Sequence, residues 1–339
     1  MQKRTPTLED VANKAEVSTA TVSRCLNQPD KVKPNVCAKI KKAIHALGYV
    51  PHGAARALAS RRTQTIGAIV PTIDNAIFSE AIQHLQSGLS KANYTLLLAN
   101  SGYSIDEELR EVNSLLSRGI DGIVLVGELH HPEVFEAIER HRIPYVNLWS
   151  YSPDSKYSCI GFDHIKAGKK IAQHLLDLGH TEFGVISGFQ ENNDRAMLRL
   201  NGLQQALETA GLSLPKDRII ECRYSVEQGN AALHKLLDKH PEITAISCGN
   251  DILALGALSG ARERRISVPE QLSIVGFDNL EMIAYLSPAL TTINSPSKRM
   301  GDHAADYLIR QIQNENTVIE RKELEADLII RETTARVPR

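Results

Sequence analysis

From residue 65 onward the chain alternates short apolar runs with longer amphipathic stretches, and this alternation restricts its fold more than any other feature. The apolar runs predict buried strands, a first series at 66–70, 95–99, 122–126 and 145–148 and a second at 183–186, 219–222, 245–248 and 273–277. The amphipathic stretches predict helices near 78–92, 105–118 and 132–141, and again near 164–178, 196–210, 226–239 and 251–264. Strands that alternate with helices form parallel sheets with helices on both faces. Two such series predict two doubly wound lobes, with a ligand crevice at the carboxyl ends of the strands.

The residues before this region predict a small all-helical head. Thr7 and Asp10 have the spacing of a capping box that begins a first helix, and Ser18 is a good N-cap for a second helix over about 19–27. Pro34 begins a third helix, which ends at Gly48. The inward faces are predicted to consist of Leu8, Val11, Ala12 and Ala15, then Val22 and Leu26, then Ile40, Ala43, Ile44 and Leu47.

Two helices joined by a tight turn are typical of a helix-turn-helix module, whose second helix lies in the major groove of DNA. Its outward residues here are Thr19, Ala20, Thr21, Ser23 and Arg24. An arginine can bind guanine or a phosphate, and the hydroxyl side chains suit phosphate oxygens. Residues 1–62 carry a net charge of +8 and the remainder −9, which favours a nucleic-acid-binding module on an acidic body. The alternative is a plain helical bundle with exposed polar side chains.

Several sequence motifs of the chain resemble those of one known family. "T-L-E-D-V-A-x-x-A-x-V-S-x-x-T-V-S-R-x-L-N" and "A-L-G-Y-V-P-H-G-A-A-R-A-L-A" resemble the head of the LacI/GalR family of bacterial transcription regulators. The later phrases "R-G-I-D-G-I-V-L", "S-C-G-N-D-I-L-A-L-G-A-L" and "L-S-I-V-G-F-D-N" resemble its effector-binding core, which has the fold of periplasmic sugar-binding proteins. One departure is Glu16, where many relatives carry glycine; if that turn needs a positive φ, the side chain costs about 1 kcal/mol.

The resemblance implies three parts of the chain. They are a helix-turn-helix domain over 1–48, a hinge helix over 49–63, and an effector-binding and dimerisation core over 64–334. Within the core, the N-lobe is expected at about 64–160 and 294–323 and the C-lobe at about 163–291 and 327–334, with crossings near 160–163, 291–294 and 323–327.

The hinge segment is rich in alanine but too short to hold a helix alone in water, so it would fold only when paired or bound. The resemblance implies that two such helices pair over the minor groove and that Leu58 wedges into a central base step. The expected DNA-contacting residues are Thr7, Ser18, Thr19, Ala20, Thr21, Ser23, Arg24, Asn27, His52, Ala55 and Leu58.

The same resemblance implies an effector site between the lobes. Arg199 is its anchor, Asn250 and Asp278 face it, and Phe162 lies on the opposite side. The expected set is Asn75, Phe78, Tyr103, Asn147, Trp149, Phe162, Asp163, Arg195, Arg199, Asn250 and Asp278. Arginine offers a planar fork to oxygen ligands, while Asn and Asp satisfy hydroxyl groups. Trp149, the only tryptophan, suits the apolar face of a sugar ring or else simply fills the core.

Arg195 lies one helical turn before Arg199, so both side chains can converge on one acidic group such as a sugar acid or sugar phosphate. The alternative is that Arg195 is solvated or pairs with Asp194 or Glu191. The phrases "N-S-G-Y-S-I-D-E-E" and "I-G-F-D-H-I-K-A-G" resemble gluconate-repressor-like members, although Asn147 stands where that branch has an acidic residue. The expected effector is therefore a sugar or sugar acid, with a neutral sugar or a nucleobase as alternatives.

Several other function classes lack their sequence signals. The sequence has no dinucleotide-binding loop, no phosphate-binding loop, and no hydrolase or zinc-protease motif. Its five cysteines do not form a C-x-x-C motif. We therefore expect that the protein is not an enzyme and binds no cofactor or metal. His130 and His131 are expected on a loop surface. No apolar run is long enough to span a membrane, and no apolar signal segment follows Met1. The prediction is a cytoplasmic homodimeric repressor of a near-palindromic operator, with a secreted sugar-binding protein as the rival and induction or corepression left open.

Overall fold

The structure is a computed structural model that describes residues 4–50, 62–314 and 318–337. The chain divides into two compact units, Met1–Thr63 and Gln64–Arg339. Among the described helices, none combines the length and the apolarity that crossing a bilayer would need.

In the first unit, the described residues 4–50 form three α-helices and one short 3₁₀ turn. They are α1 (Leu8–Ala15), α2 (Thr19–Asn27), the turn Pro29–Lys31 and α3 (Pro34–Leu47). The capping box of Thr7 and Asp10 is present, and the Ser18 hydroxyl accepts a hydrogen bond from the Thr21 amide at 3.2 Å. Gly48 ends α3 in the left-handed conformation. The three predicted helices and their caps are thus confirmed.

The inward face of α2 differs from the prediction at one position. Val22 is fully buried as expected, but Leu26 is 38% exposed, so its assignment to the core is wrong. Cys25 is buried in its place, with its Sγ 2.6 Å from Sγ of Cys37 on α3. Positions i+3 and i+4 flank the same face of a helix, and α3 lies against the i+3 side.

The turn between α1 and α2 needs a positive φ. Glu16 has φ 57° and ψ 45°, the left-handed conformation, and its amide bonds back to the carbonyls of Ala12 and Asn13. The backbone strain expected of a non-glycine residue is therefore present at this turn.

The described residues of the second unit form two six-stranded sheets. The N-lobe sheet consists of β1 (Thr65–Val70), β2 (Thr95–Asn100), β3 (Gly122–Val126), β4 (Tyr145–Leu148), β5 (Cys159–Gly161) and β11 (Arg321–Glu323), all parallel, in the order β11-β5-β4-β3-β1-β2. Its helices are α4 (Ala76–Lys91), α5 (Ile105–Ser117), α6 (Glu133–His141) and α11 (Ser297–Asn314).

The C-lobe sheet repeats this plan. It consists of β6 (Phe183–Gly188), β7 (Ile219–Cys222), β8 (Ala245–Cys248), β9 (Ser273–Asp278), β10 (Thr291–Asn294) and β12 (Asp327–Ile329), in the order β12-β10-β9-β8-β6-β7. Its helices are α7 (His164–Asp177), α8 (Asp194–Thr209), α9 (Val226–Lys239) and α10 (Asp251–Glu263), with 3₁₀ turns at Lys216–Arg218 and Glu281–Tyr285.

The two predicted series of strands and helices are confirmed, with two differences. The strands β5, β10, β11 and β12 and the helix α11 were not predicted. Three residues in β5, β11 and β12 are too few to show a period, and β10 contains only one apolar residue, Ile293. The strand β12 pairs antiparallel with β10, so the expectation of purely parallel sheets is wrong at that edge. The chain leaves β11 at the cleft side of the N-lobe and enters the C-lobe from the same side, so β12 runs away from the cleft.

Three chain segments connect the lobes: 161–164, 294–297 and 323–327. The loops that follow the parallel strands of both sheets face one crevice between the lobes, which is the position that doubly wound sheets favour for a ligand.

Candidate functional site

The polar face of α2 lies at the surface of the first unit. Ser18, Thr19, Ala20 and Arg24 are exposed and Thr21 and Ser23 are half-buried, while Val22 and Cys25 face the core. The Ser18 and Thr21 hydroxyls lie 2.9 Å apart, and the Thr7 hydroxyl donates to Asp10. The predicted contacts His52, Ala55 and Leu58 lie outside the described residues, as does the side chain of Asn27. On α2, the described part of the predicted set therefore presents a polar surface that extends from Ser18 at the N-cap to Arg24 in the last turn.

The crevice between the lobes contains a small inner chamber of about 30 Å³. Eight of the eleven predicted effector residues line it: Asn75, Phe78, Tyr103, Trp149, Arg195, Arg199, Asn250 and Asp278. Three further lining residues, Ile77, Asn193 and Tyr224, were not predicted. Asn193 and Tyr224 follow β6 and β7, so the rule that ligands bind at the carboxyl ends of strands identifies their position.

Arg199 is positioned by a close contact between α7 and α8. A Cβ atom on Gly168 of α7 would overlap the backbone carbonyl of Arg199, and a Cβ on Gly202 would overlap the carbonyl of Ile165, so only glycine permits this approach. The guanidinium carbon of Arg199 lies 4.3 Å from the centre of the Phe277 ring, a cation–π contact. Its Nε atom finds no hydrogen-bond partner among the described residues. Arg199 thus has a donor available for a ligand.

The positive charge of Arg195 is compensated by groups within the protein. Its Nη1 atom lies 3.0 Å from Asp194 Oδ1 and donates to the carbonyl of Val126 at 3.2 Å. Both side chains of the pair are nearly buried, with 8% and 11% exposed. Of the two arrangements that the sequence left open for Arg195, pairing with Asp194 is present.

Two aspartates accompany the arginines, of which Asp251 is buried and Asp278 is half-buried. Burial, with a contribution from the charge of Asp251, raises the pKa of Asp278 well above its usual range, against the opposing effect of Arg199. Burial also raises the pKa of Asp251 to about 7, although that carboxyl accepts hydrogen bonds from the Thr292 hydroxyl at 2.6 Å and the Leu280 amide at 2.8 Å. The Asp278 carboxyl lines the inner chamber and can accept hydrogen bonds from a ligand.

Trp149 forms an apolar wall of the inner chamber. It has φ 53°, lies edge-on to Phe78 at 4.9 Å between ring centres, and is nearly buried. The His164 Nε2 atom lies 2.8 Å from the carbonyl of Trp149, and burial lowers the pKa of His164 far below its usual value, so a neutral imidazole donates there. Positive φ values at Tyr103, Trp149 and Asp278 place backbone strain on three residues of one chamber, as is common at binding sites.

Three residues that line this chamber have buried donors without a partner among the described residues. Besides Nε of Arg199, Nε1 of Trp149 and Nδ2 of Asn250 have no partner among the described residues, although Asn250 Oδ1 accepts from the Leu253 amide at 2.9 Å. Buried donors without partners are costly, and a ligand or ordered water is the usual explanation. The chamber therefore has three donors, on Arg199, Trp149 and Asn250, without a hydrogen-bond partner among the described residues.

The other three predicted residues do not line the chamber. Asn147 is buried on β4, with an amide that has no partner among the described residues. Phe162 packs with His164 and Phe277 at ring distances of 4.3 and 6.0 Å. Asp163 caps α7 and lines a separate hollow of about 420 Å³ beside the 323–326 crossing.

The expectation of a surface position for His130 is wrong. Its imidazole is 1% exposed, with Nδ1 2.8 Å from Glu108 Oε2 and Nε2 3.0 Å from the carbonyl of Gly127. The reason is that α5 places the Glu108 carboxylate against the loop after β3, so the ring is satisfied inside. Within the described ranges, no group of three or more His, Cys, Asp or Glu residues has an arrangement that could hold a metal ion.

Comparison with family models and with known sequences identifies relatives over nearly the whole chain. Residues 7–52 match the model for bacterial regulatory proteins of the lacI family, and residues 172–334 match that for a periplasmic binding protein-like domain. Catabolite control protein A of Priestia megaterium is 33% identical over 92% of this chain and 94% of its own length. The HTH-type transcriptional repressor CytR of Escherichia coli K12 is 32% identical over 99% and 98%.

Solved structures give the same picture. The transcription regulator GntR from Chromobacterium violaceum superposes with a TM-score of 0.76 at 30% identity, over 80% of this chain and 99% of that one. The CelR–cellobiose complex gives 0.72 at 29% identity, over 97% and 99%. The lac repressor dimer bound to operator and the anti-inducer ONPF gives 0.88 at 25% identity, over 98% and 100%.

Proposed function

This chain belongs to the LacI family of bacterial regulatory proteins, and we propose that it is a cytoplasmic, homodimeric repressor whose operator affinity is set by a small molecule in the interlobe cleft. As a member of this family it is a DNA-binding transcriptional regulator and not an enzyme. The observation that carries the effector assignment is the set of unpartnered buried donors of Arg199, Trp149 and Asn250 around one chamber.

The DNA-reading role falls to the polar face of α2. In this proposal the first turn of α2 enters the major groove, Arg24 contacts a base edge, and the surrounding hydroxyls and Thr7 bind phosphates. The division into a helix-turn-helix domain over 1–48, a hinge over 49–63 and a core over 64–334 is part of the same proposal, as is the Leu58 wedge in the minor groove. A two-fold dimer would present two such heads to a near-palindromic operator.

The effector that fits the inner chamber best is a sugar or sugar acid. Hydroxyl and carboxylate oxygens accept from the Arg199 fork and the Trp149 and Asn250 donors, and the Asp278 carboxyl adds an acceptor for sugar hydroxyls. The indole of Trp149 offers an apolar face to a sugar ring. A saccharide effector agrees with the CelR–cellobiose complex among the similar structures.

Control of DNA binding follows from the size of the chamber. A volume of about 30 Å³ has room for roughly one or two water molecules, so a sugar requires the lobes to separate. A ligand that binds only the more open arrangement shifts the population toward it, to the extent of its differential affinity. The crossing segments transmit that change in lobe spacing to the N-terminal end of the core.

The function is tested by operator binding of the full chain to a duplex selected from a random library. Arg24→Ala should weaken binding by about 1–3 kcal/mol at fixed salt, because it removes a base contact. Arg118→Ala, an exposed arginine at the end of α5, is the matched control and should leave affinity unchanged. Equal affinity of the wild type and the Arg24 variant would contradict the assignment.

A further inference from the structure

The interlobe cleft continues beyond the inner chamber into a second, larger space, which we call the outer chamber. It measures about 760 Å³ and lies among the loops that follow β1, β2, β6 and β7. Asn75, Tyr103 and Tyr224 line both chambers, so the two spaces are continuous. Ligand sites for drug-sized molecules measure about 300–1,000 Å³, and the outer chamber falls in that range while the inner one does not.

Three aromatic rings from both lobes form one wall of the outer chamber. Tyr103 of the N-lobe lies edge-on to Phe189 of the C-lobe, with ring centres 4.7 Å apart. Tyr224, also of the C-lobe, lies 6.2 Å from Tyr103 and 5.8 Å from Phe189. Aromatic rings provide a large apolar surface, which suits the C–H face of a pyranose.

The positions of these rings are fixed by local structure. The Tyr224 hydroxyl accepts a hydrogen bond from Asn193 Nδ2 at 3.0 Å, and the same amide donates to the carbonyl of Phe189 at 3.1 Å. A Cβ atom on Gly188 would overlap the Tyr224 ring, so the ring lies directly over the backbone of β6. Tyr103 takes a left-handed backbone conformation with φ 64°, which is uncommon for an aromatic residue. The aromatic wall is thus a built feature of the cleft.

The rest of the outer chamber is polar and of mixed charge. Its lining includes two carboxylates, two amides and one guanidinium: Asp74, Glu191, Asn100, Asn192 and Arg223. Such groups bind sugar hydroxyls as donors and acceptors. Two acids against one base disfavour a phosphate or a second carboxylate in this chamber, so the chemistry favours a neutral, hydroxyl-rich ring.

We propose that the outer chamber is a subsite for a second sugar ring, and that the effector is a disaccharide or disaccharide acid. Its first ring enters the inner chamber at Arg199 as the lobes separate. Its second ring packs on Phe189 and Tyr224, which stay together because both belong to the C-lobe. This inference rests on the proposed function, because it takes the inner chamber as the place of the first ring.

The test is calorimetric titration of the full chain with matched pairs of probes: glucose with cellobiose and maltose, and gluconate with cellobionate and maltobionate. At least one disaccharide should bind about tenfold or more tightly than its monosaccharide. Phe189→Ala should reduce that ratio about three- to tenfold, since stacking on one ring is lost. Phe189→Tyr keeps the ring and should keep the ratio.

The outcomes separate this inference from the proposed function. A ratio near one in every pair, or one unaffected by Phe189→Ala, overturns the subsite even if Arg199→Ala abolishes monosaccharide binding. Failure of every sugar to bind also overturns it, while operator binding by the same protein preserves the regulator assignment. A nucleoside that binds and depends on Phe189 overturns the saccharide class. Undiminished disaccharide binding by Arg199→Ala instead contradicts the inner site of the proposed function.

Discussion

Arg195 and Arg199 lie one turn apart on α8 in different electrostatic environments. The charge of Arg195 is compensated by Asp194 at 3.0 Å, whereas Arg199 lies against the Phe277 ring with an unpartnered Nε atom. Among these two residues, Arg199 is therefore the one with bonding capacity left for an effector, and Arg195 chiefly joins α8 to the N-lobe through the carbonyl of Val126.

Alanine variants of the two arginines should consequently have different effects, one on effector binding and the other on stability. Arg199→Ala should weaken effector binding tenfold or more and remove any preference for a sugar acid over its neutral parent, because it removes the charge that faces the ligand. Arg195→Ala should instead lower the free energy of unfolding of the second unit by about 3 kcal/mol, because it leaves Asp194 buried without its partner. Calorimetry with both ligands and thermal unfolding without ligand separate the effects. Loss of acid preference in the Arg195 variant alone would contradict this assignment.

Asp251 should make the stability of the body depend on pH. Burial raises its pKa to about 7 in the folded state, above the usual value near 4, so between these values the folded chain holds a proton that the unfolded chain has lost. Stability contributed by this group therefore falls as pH rises from about 4 to 7, by at most about 1.4 kcal/mol per pH unit.

The measurement is urea unfolding at pH 5 and pH 7, followed by fluorescence of Trp149, the only tryptophan. Asp251→Asn should lose less stability than the wild type between these two pH values. Asp154→Asn, at an exposed aspartate, is the control and should retain the wild-type dependence. The same pH dependence in all three proteins would rule out a titrating Asp251.

At the scale of single elements, the turn between α1 and α2 contains backbone strain that a glycine would relieve. Glu16 has φ 57°, so Glu16→Gly should stabilise the head by about 1 kcal/mol. Lys14→Gly is the matched control two residues earlier, inside α1, and should destabilise the head by about 1 kcal/mol. Hydrogen exchange of the α1 and α2 amides in the full chain measures both changes. Effects of the same sign would show that the backbone conformation of residue 16 is not the cause.

The elements that sequence reasoning identified are those with local signals. The capping residues Thr7 and Ser18 and the terminating Gly48 act within one helical turn, so their effect can be read from neighbours in the chain. The antiparallel β12 could not be identified in this way, because its direction depends on where β11 ends in the other lobe. Whether Leu26 or Cys25 is buried in the core of the head likewise depends on which side of α2 meets α3.

At the scale of the whole molecule, the charge separation predicts a strong salt effect. Residues 1–62 carry a net charge of +8, and a protein that neutralises several phosphates releases counterions. Operator affinity of the full chain should fall by about 10³-fold or more between 50 and 200 mM salt. A chain lacking residues 1–62 should lose retention on DNA and heparin at every salt concentration, while a sugar that stabilises the full chain should still raise its melting temperature. Retention of DNA by the truncated chain would place the nucleic-acid surface elsewhere.

The sequence by itself determined the three helices of the head, the two series of strands and helices, and a crevice at the carboxyl ends of the strands. The residues of the inner chamber were implied by the family resemblance. Periodicity and capping are short-range effects, and parallel strands bring the residues after their carboxyl ends to one edge. Only the tertiary structure decided which partners the polar and charged side chains near the cleft have. Arg195 is held by a carbonyl 69 residues earlier, and His130 is buried because Glu108 reaches it from 22 residues earlier. Tyr103, Phe189 and Tyr224 meet because three loops from two lobes converge. Burial and partner geometry depend on residues remote in sequence, and no local pattern records them.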